Sequence, residues 1–331
     1  MLPLQAMATS LIHIQEQLRP QLDVMNDIIT TTLSSNSDLT NNIVSTYLKS
    51  KGKLLRPIIT LLSAKFFGDI NDKALQAAAA LEMLHNASLI HDDVIDEATE
   101  RRGLPTINNV WSNHVAVLIG DFFVTGALRC GVATGDGRIL SALADMGRDL
   151  SLGEIDQVDI ARNHNIDEAT YMEIIRAKTA SLFECCAAVG GYANNAPQTS
   201  IDELRRYARL LGLCFQIKDD TFDYYHDPII GKPTGNDLRE GKVTLPLIYA
   251  LGREDMPEHD EMLALVGKEV LSSEDIDRLI DFAKRAGGID YAYQTMERLR
   301  DEANDILAPY SPDDTIEQFR EIFDYVIERR L

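Results

Sequence analysis

Asp92, Asp93 and Asp96 stand at the end of an uninterrupted run from Leu81 to Asp96, LEMLHNASLIHDDVID. Leu81, Leu84, Ala87, Ser88, Leu89, Val94 and Ile95 recur at helical spacing with no Gly or Pro between them, so the run reads as a largely buried helix. Asp92 and Asp96 share one face and repel each other. Carboxylates crowded beside apolar residues need a compensating cation. Hard divalent ions with oxygen ligands meet that need. One acidic triplet is weak ground in so acidic a chain, but the Asp-Asp-x-x-Asp spacing recurs in FQIKDDTFD, as Asp219, Asp220 and Asp223, again at the end of an apolar helical run. Two such ends facing each other across a cavity would hold metal ions against a polyanion.

Cations recur at punctuated places in the chain. Lys53 and Arg56 lie three residues apart at an expected helix start, with Pro57 in its first turn, where backbone N–H groups add anion affinity; two solvated cations beside a turn would leave the same pattern. Arg101 and Arg102 precede Gly103 and Pro105 in an expected loop, suited to a phosphate or to an ion pair with Asp96 or Glu97. Lys178 leads into an apolar run and either snorkels outward or meets an internal anion. Lys232 and Lys242 belong to Gly-rich segments suited to closing on phosphate. His85 shares the face of the aspartates two turns on; an ordinary core histidine fits equally. Glu82 and His85 form one Glu-x-x-His pair, and a di-iron bundle would need a second, which the chain lacks.

The elements that must position these groups are helices. Helical periodicity covers most of the 331 residues, period-2 alternation is nearly absent, and no linker divides the chain, so a single all-α domain is expected. At 45% hydrophobic and 25% charged the composition is that of a globular protein with a large core. A net charge of −20 with scattered basic residues argues against nucleic acid. Cys130, Cys185, Cys186 and Cys214 have no framework spacing and read as small buried hydrophobes in a reduced, cytoplasmic protein. No signal peptide is expected, and no transmembrane segment, because the apolar window from Val115 to Val124 is short and carries Asp121.

Together GKLLRP, HNASLIHDDVIDEATERRGLPT, AKTASLFE, FQIKDDTFD and GKPTGNDLREGKVTLPLI resemble the trans-prenyltransferases, the polyprenyl diphosphate synthases, from about Lys51 to the C-terminus. The resemblance implies a bundle of mostly antiparallel helices around a central cavity, usually a homodimer. It also implies head-to-tail joining of an allylic diphosphate to isopentenyl diphosphate, with three Mg²⁺ ions between the aspartate clusters. Carried over residue by residue, Asp92, Asp96 and Asp219 are ligands, while Asp93, Asp220 and Asp223 are less direct ones. Arg101, Lys178, Lys232 and Lys242 would hold the allylic diphosphate; Lys53, Arg56, His85 and Arg102 the isopentenyl one. Thr179 and Gln216 would turn oxygens toward the carbocation, with Gln157 near the metals. Ala87 and Ser88 occupy positions where bulky residues stop growth, so a product of geranylgeranyl length or longer is expected, with Phe122 or Phe123 as candidate floor. The C-terminal Arg329 and Arg330 match a basic tail that approaches the isopentenyl site, although fraying solvated charge is the reading preferred. A short-chain synthase and a catalytically silent regulatory subunit are the alternatives, and intact aspartate clusters speak against the silent one.

Overall fold

The computed structural model describes residues 4–49, 52–163, 167–225, 234–268, 270–310 and 313–329, with side chains described outside 4–10 and 158–163. Helices dominate. In chain order they are α1 (Leu4–Gln17), α2 (Arg19–Thr32), α3 (Asp38–Tyr47), α4 (Leu55–Phe67), α5 (Asp72–Ile95), α6 (Ile107–Val110), α7 (Asn113–Ala133), α8 (Gly137–Asn163) and α9 (Glu168–Ile175). A π-helical segment, Arg176–Ala180, joins α9 to α10 (Ser181–Ala193) and is followed by α11 (Gln198–Phe222), α12 (Asn236–Arg239), α13 (Leu245–Leu251), α14 (His259–Val266), α15 (Ser273–Arg285), α16 (Gly288–Leu307) and α17 (Asp314–Glu328). The expected loop after Asp96 is instead a small hairpin, β1 (Glu100–Arg101) antiparallel to β2 (Leu104–Pro105). Arg102 and Gly103 turn it with positive φ of 54° and 74°, the backbone that two-residue hairpins require.

The central element is α10. Its residues from Ser181 to Gly191 are all buried, so it is covered on every side, and α4, α5, α8 and α11 pack around it. The four cysteines are free and buried, as expected; burial pushes the Cys186 thiol up to about 12. A smaller core between α13 and α16 is built from Leu247, Met262, Ile276, Leu279 and Phe282, and Val243 and Tyr293 pack on both cores.

Helix α7 contains the apolar window from Val115 to Val124. It extends well beyond that window, and at 21 residues it is long and apolar enough to cross a membrane by length and composition. Its Ala116, Ile119, Gly120, Phe123 and Ala127 face packs on α5, while Leu118, Leu128 and Val132 are exposed. Arg205, Arg206 and Arg209, a stretch of α11 that reads as a solvated face, are in ion pairs. Arg209 grips the buried Glu184 at 2.7 Å, Arg205 lies 3.7 Å from it, and Arg206 reaches Glu302 at 2.5 Å.

Close approach between α11 and the π segment depends on Gly212, where a Cβ would stand 2.6 Å from the Ala180 Cα. Backbone cannot yield as a flexible side chain can. Gly212→Ala should therefore destabilise the protein by about 1–3 kcal/mol, seen as a lower urea midpoint at unchanged slope.

Candidate active site

Asn71 starts α5 by accepting the Ala74 N–H at 3.1 Å, and the helix then runs unbroken until Asp96 stands at its C-cap. Helix α11 likewise ends with Asp223 at its C-cap, and neither helix has a basic residue in its last turn. Both aspartate clusters thus sit at the negative ends of helix dipoles, where carboxylates are unfavourable and cations are wanted. The two ends meet at one cavity of about 570 Å³, lined among others by Asp96, Glu154, Gln157, Tyr171, Lys178, Thr179, Gln216, Asp220, Asp237 and Lys242.

The acidic groups are in electrostatic difficulty. Burial, then Glu154 and Asp96, push the Asp92 carboxyl up to about 6 against the opposing pull of Lys178 and Arg101. Burial also raises Asp96, with Glu240 adding to it and Lys242 opposing. Asp220 is driven well above the ordinary range by burial and then by Asp237. The cavity's lysines are already engaged: Lys178 donates to Gln157 Oε1 and pairs with Glu154, and Lys242 pairs with Glu240 at 2.5 Å.

The second cluster divides its aspartates among three tasks. Asp219 Oδ1 accepts from Arg329 at 2.5 Å. Asp220 accepts from Tyr171 Oη at 2.6 Å and from Gln216 Nε2 at 2.8 Å. Asp223 spends both oxygens on the backbone N–H groups of Asn236, at 2.9 Å, and Asp237, at 3.0 Å, and so docks the segment carrying Asp237 and Lys242 against α11. In the first cluster the buried Asp93 accepts from Arg101 Nε at 2.7 Å; the arginine's carboxylate is therefore Asp93 rather than Asp96 or Glu97.

Lys178 and Thr179 lie in the π segment, whose widened turn is a backbone irregularity common at functional sites. Thr179 Oγ1 donates to Gln216 Oε1 at 2.7 Å, and the Gln216 amide donates onward to Asp220. Both residues line the cavity, and Thr179 Oγ1 and Gln216 Oε1 keep lone pairs beyond the bond between them.

A separate cationic group lies beside it. Arg56 Nη1 is 3.1 Å from His85 Nε2 and its guanidinium lies against Phe183 and Phe215, at 5.2 and 5.7 Å. The Lys53 ammonium is 5.5 Å from the Tyr325 ring, and the Arg102 guanidinium stands where a Cβ on Gly52 would fall, 2.9 Å away. Burial, then Arg56 and Arg102, hold His85 well below its ordinary value, so the imidazole is neutral and accepts from Arg56. The buried Arg56 Nε has no partner, a donor awaiting an acceptor.

Lys232 and Arg330 lie outside the described residues. Tyr171 and Asp237 line the cavity without having been singled out from the sequence. Tyr171 stands two turns before Lys178 on the same face, a signal available in the periodicity. Arg329, read as solvated charge, is in fact 8% exposed.

Among the described residues no three carboxylate, imidazole or thiolate groups converge to enclose an ion unaided. A divalent ion held here by one or two carboxylates would take its remaining ligands from water and from a bound phosphate. The crowding of Asp92 and Asp96 with Glu154 and Glu240 is the feature that a divalent ion would fit.

Asp92 gives a pH signature. Its folded-state affinity for the proton exceeds that of the unfolded chain, so its stabilising contribution is complete below about 4 and lost as pH rises through about 6. In chelator, thermal stability should fall across that window. Asp92→Asn should raise the melting temperature at about pH 8 and change it little at about pH 4; equal shifts at both would contradict the electrostatic account.

The chain matches the family described as Polyprenyl synthetase over residues 37–283. It is 33% identical to the octaprenyl diphosphate synthase of Haemophilus influenzae over 295 residues, 89% of this chain and 88% of that one. It is 32% identical to the geranylgeranyl diphosphate synthase of Saccharolobus solfataricus over 289 residues, 84% of this chain and 87% of the other. Its fold superposes on the polyprenyl synthase of Caulobacter crescentus CB15, crystallised with calcium and isoprenyl diphosphate, with a TM-score of 0.90 at 31% identity, covering 97% and 98% of the two chains. With paired aspartate clusters at one cavity and this coverage, the chain belongs to the polyprenyl synthetase family, the trans-polyprenyl diphosphate synthases.

Proposed function

We propose that the protein joins isopentenyl diphosphate head to tail to an allylic diphosphate, with Mg²⁺ at the aspartate clusters, and makes a product of geranylgeranyl length or longer. The observation that carries the reading is the meeting of Asp96 and Asp220, from the two helix ends, with Lys178, Thr179 and Gln216 at one cavity.

Asp92, Asp96 and Asp219 are the carboxylates for the metal, and bound Mg²⁺ would supply charge neutralisation of the leaving diphosphate. Arg101, Lys178 and Lys242 orient that diphosphate from the protein side. The allylic C–O bond breaks with its electron pair staying on the diphosphate, and the lone pairs of Thr179 and Gln216 stabilise the carbocation left behind. Lys53, Arg56, Arg102 and neutral His85 hold isopentenyl diphosphate so that its double bond attacks that carbon. A proton is then lost to the released pyrophosphate, which needs no side-chain base.

Product length follows from α5. Ala87 is buried and Ser88, whose hydroxyl donates to the His85 carbonyl at 2.9 Å, is half-buried; the small size of both side chains supports a channel left open for growth. Deeper, Phe123 is fully buried edge-to-face with Tyr47 at 5.6 Å, and the Tyr47 hydroxyl donates to the Asn86 carbonyl. Phe122 borders an outer groove with Ser35 and Leu118 instead. Of the two candidates Phe123 with Tyr47 is the better floor. The exposed Leu118, Leu128 and Val132 of α7 are the face on which we place a homodimer contact, and the four unpaired thiols suit a reducing, cytoplasmic setting.

The test is a product analysis with Mg²⁺, labelled isopentenyl diphosphate and dimethylallyl, geranyl or farnesyl diphosphate as primer. A ladder ending at geranylgeranyl or beyond is expected; no incorporation by folded protein would overturn the reading. Asp92→Ala and Asp219→Ala should each lower turnover by about 10²-fold or more. Ala87→Phe should shorten the product, and an unchanged ladder would remove Ala87 from the cavity wall.

A further inference from the structure

Arg329 ends α17 in an extended backbone conformation, with φ −55° and ψ 144°, while its N–H still donates to the Tyr325 carbonyl at 2.9 Å. Its side chain folds back into the protein. The guanidinium lies 4.2 Å from the Phe215 ring centre and 5.5 Å from that of Phe222, donates to the Phe215 carbonyl at 3.1 Å, and grips Asp219 Oδ1. Only 6% of this side chain is exposed, against 39% for Asp219. The carboxylate is thus held by a buried cation on one side and open to solvent on the other.

We infer that Arg329 is the counter-cation of Asp219 in the metal-free enzyme, and that a divalent ion and the C-terminal end of α17 compete for this carboxylate. The inference rests on reading Asp219 as a metal-binding group. A buried charge whose partner is withdrawn is strongly destabilised, so the guanidinium must find water or another anion when the ion arrives. Its surroundings name the anion. Arg56 lies against the same Phe215 ring, and Lys53 against Tyr325, one turn before Arg329. A diphosphate on Lys53, Arg56 and Arg102 is the acceptor within reach of the freed side chain. Metal arrival at α11 and anion arrival at α4 therefore favour each other through one arginine, and such coupling acts equally in both directions.

Mn²⁺ titration of the full chain without diphosphate, followed by the magnetic resonance of the free ion, tests this. Arg329→Met should bind Mn²⁺ about tenfold more tightly than the natural sequence. Lys218→Met is the control, because Lys218 feels the Asp219 charge but bonds to Tyr293, at 2.7 Å; its affinity should change less than about twofold. Hydrogen exchange supplies a readout independent of local charge. Saturating Mn²⁺ should speed exchange in the last turn of α17, and Asp219→Asn should show that faster exchange with no metal added. Equal affinities in the Arg329 and Lys218 variants, or an α17 end indifferent to Mn²⁺, would overturn the competition while leaving the metal site standing. Mn²⁺ binding unaffected by Asp219→Asn would instead overturn the reading of Asp219, and the competition with it.

Discussion

Two long helices stop with their carboxylates at the negative end of their own dipoles, and neither offers a basic residue in its last turn. Backbone and side chain push the same way, so the charge cannot be relieved within either helix. Relief comes only from other elements or from solution. The surrounding structure is arranged to supply it incompletely: Arg101 goes to Asp93, Arg329 to Asp219, and Lys178 and Lys242 to glutamates, while Asp92 is left with a carboxyl raised to about 6. A pocket fully neutralised by its own side chains would have no affinity left for metal ions and phosphate.

Holding that unrelieved charge in place requires a rigid support. Helix α10 is buried along nearly its whole length, and the π segment before it swings Lys178 and Thr179 to the cavity. Gly212 lets α11 come close enough for Thr179, Gln216, Asp220 and Tyr171 to form one hydrogen-bonded row. Every polar atom in that row has a defined partner, which fixes the Gln216 amide in a single orientation.

Much of this was legible in the sequence, because period 3.6 and the spacing of acids need no tertiary information. The helix from Leu81 to the first cluster, the matched second cluster and the cationic motifs could all be read that way. What could not be read was direction. Asp219, Asp220 and Asp223 look equivalent as letters, yet they face an arginine, a tyrosine and two backbone amides. That difference arises from elements distant in sequence: α9 brings Tyr171, α12 its N–H groups and α17 Arg329. The π turn and the burial of Arg329 have no local signature. The full reach of α7 cannot be read from its most apolar window, because the helix continues to Ala133.

The hairpin after Asp96 has a geometric effect of its own. Arg101 and Arg102 are neighbours in the chain, but a strand position followed by a left-handed turn sends them apart, one to Asp93 beside the metal cluster and the other to Gly52 beside Lys53. The two guanidinium groups are therefore directed to different elements by the turn between them, and each is held there by its own contact. In the proposed reaction each of these cations would meet the anion of a different substrate, whatever hydrocarbon that substrate carries. On that reading the hairpin would space the reacting ends, and the length of the chain behind them would be left to the helices below.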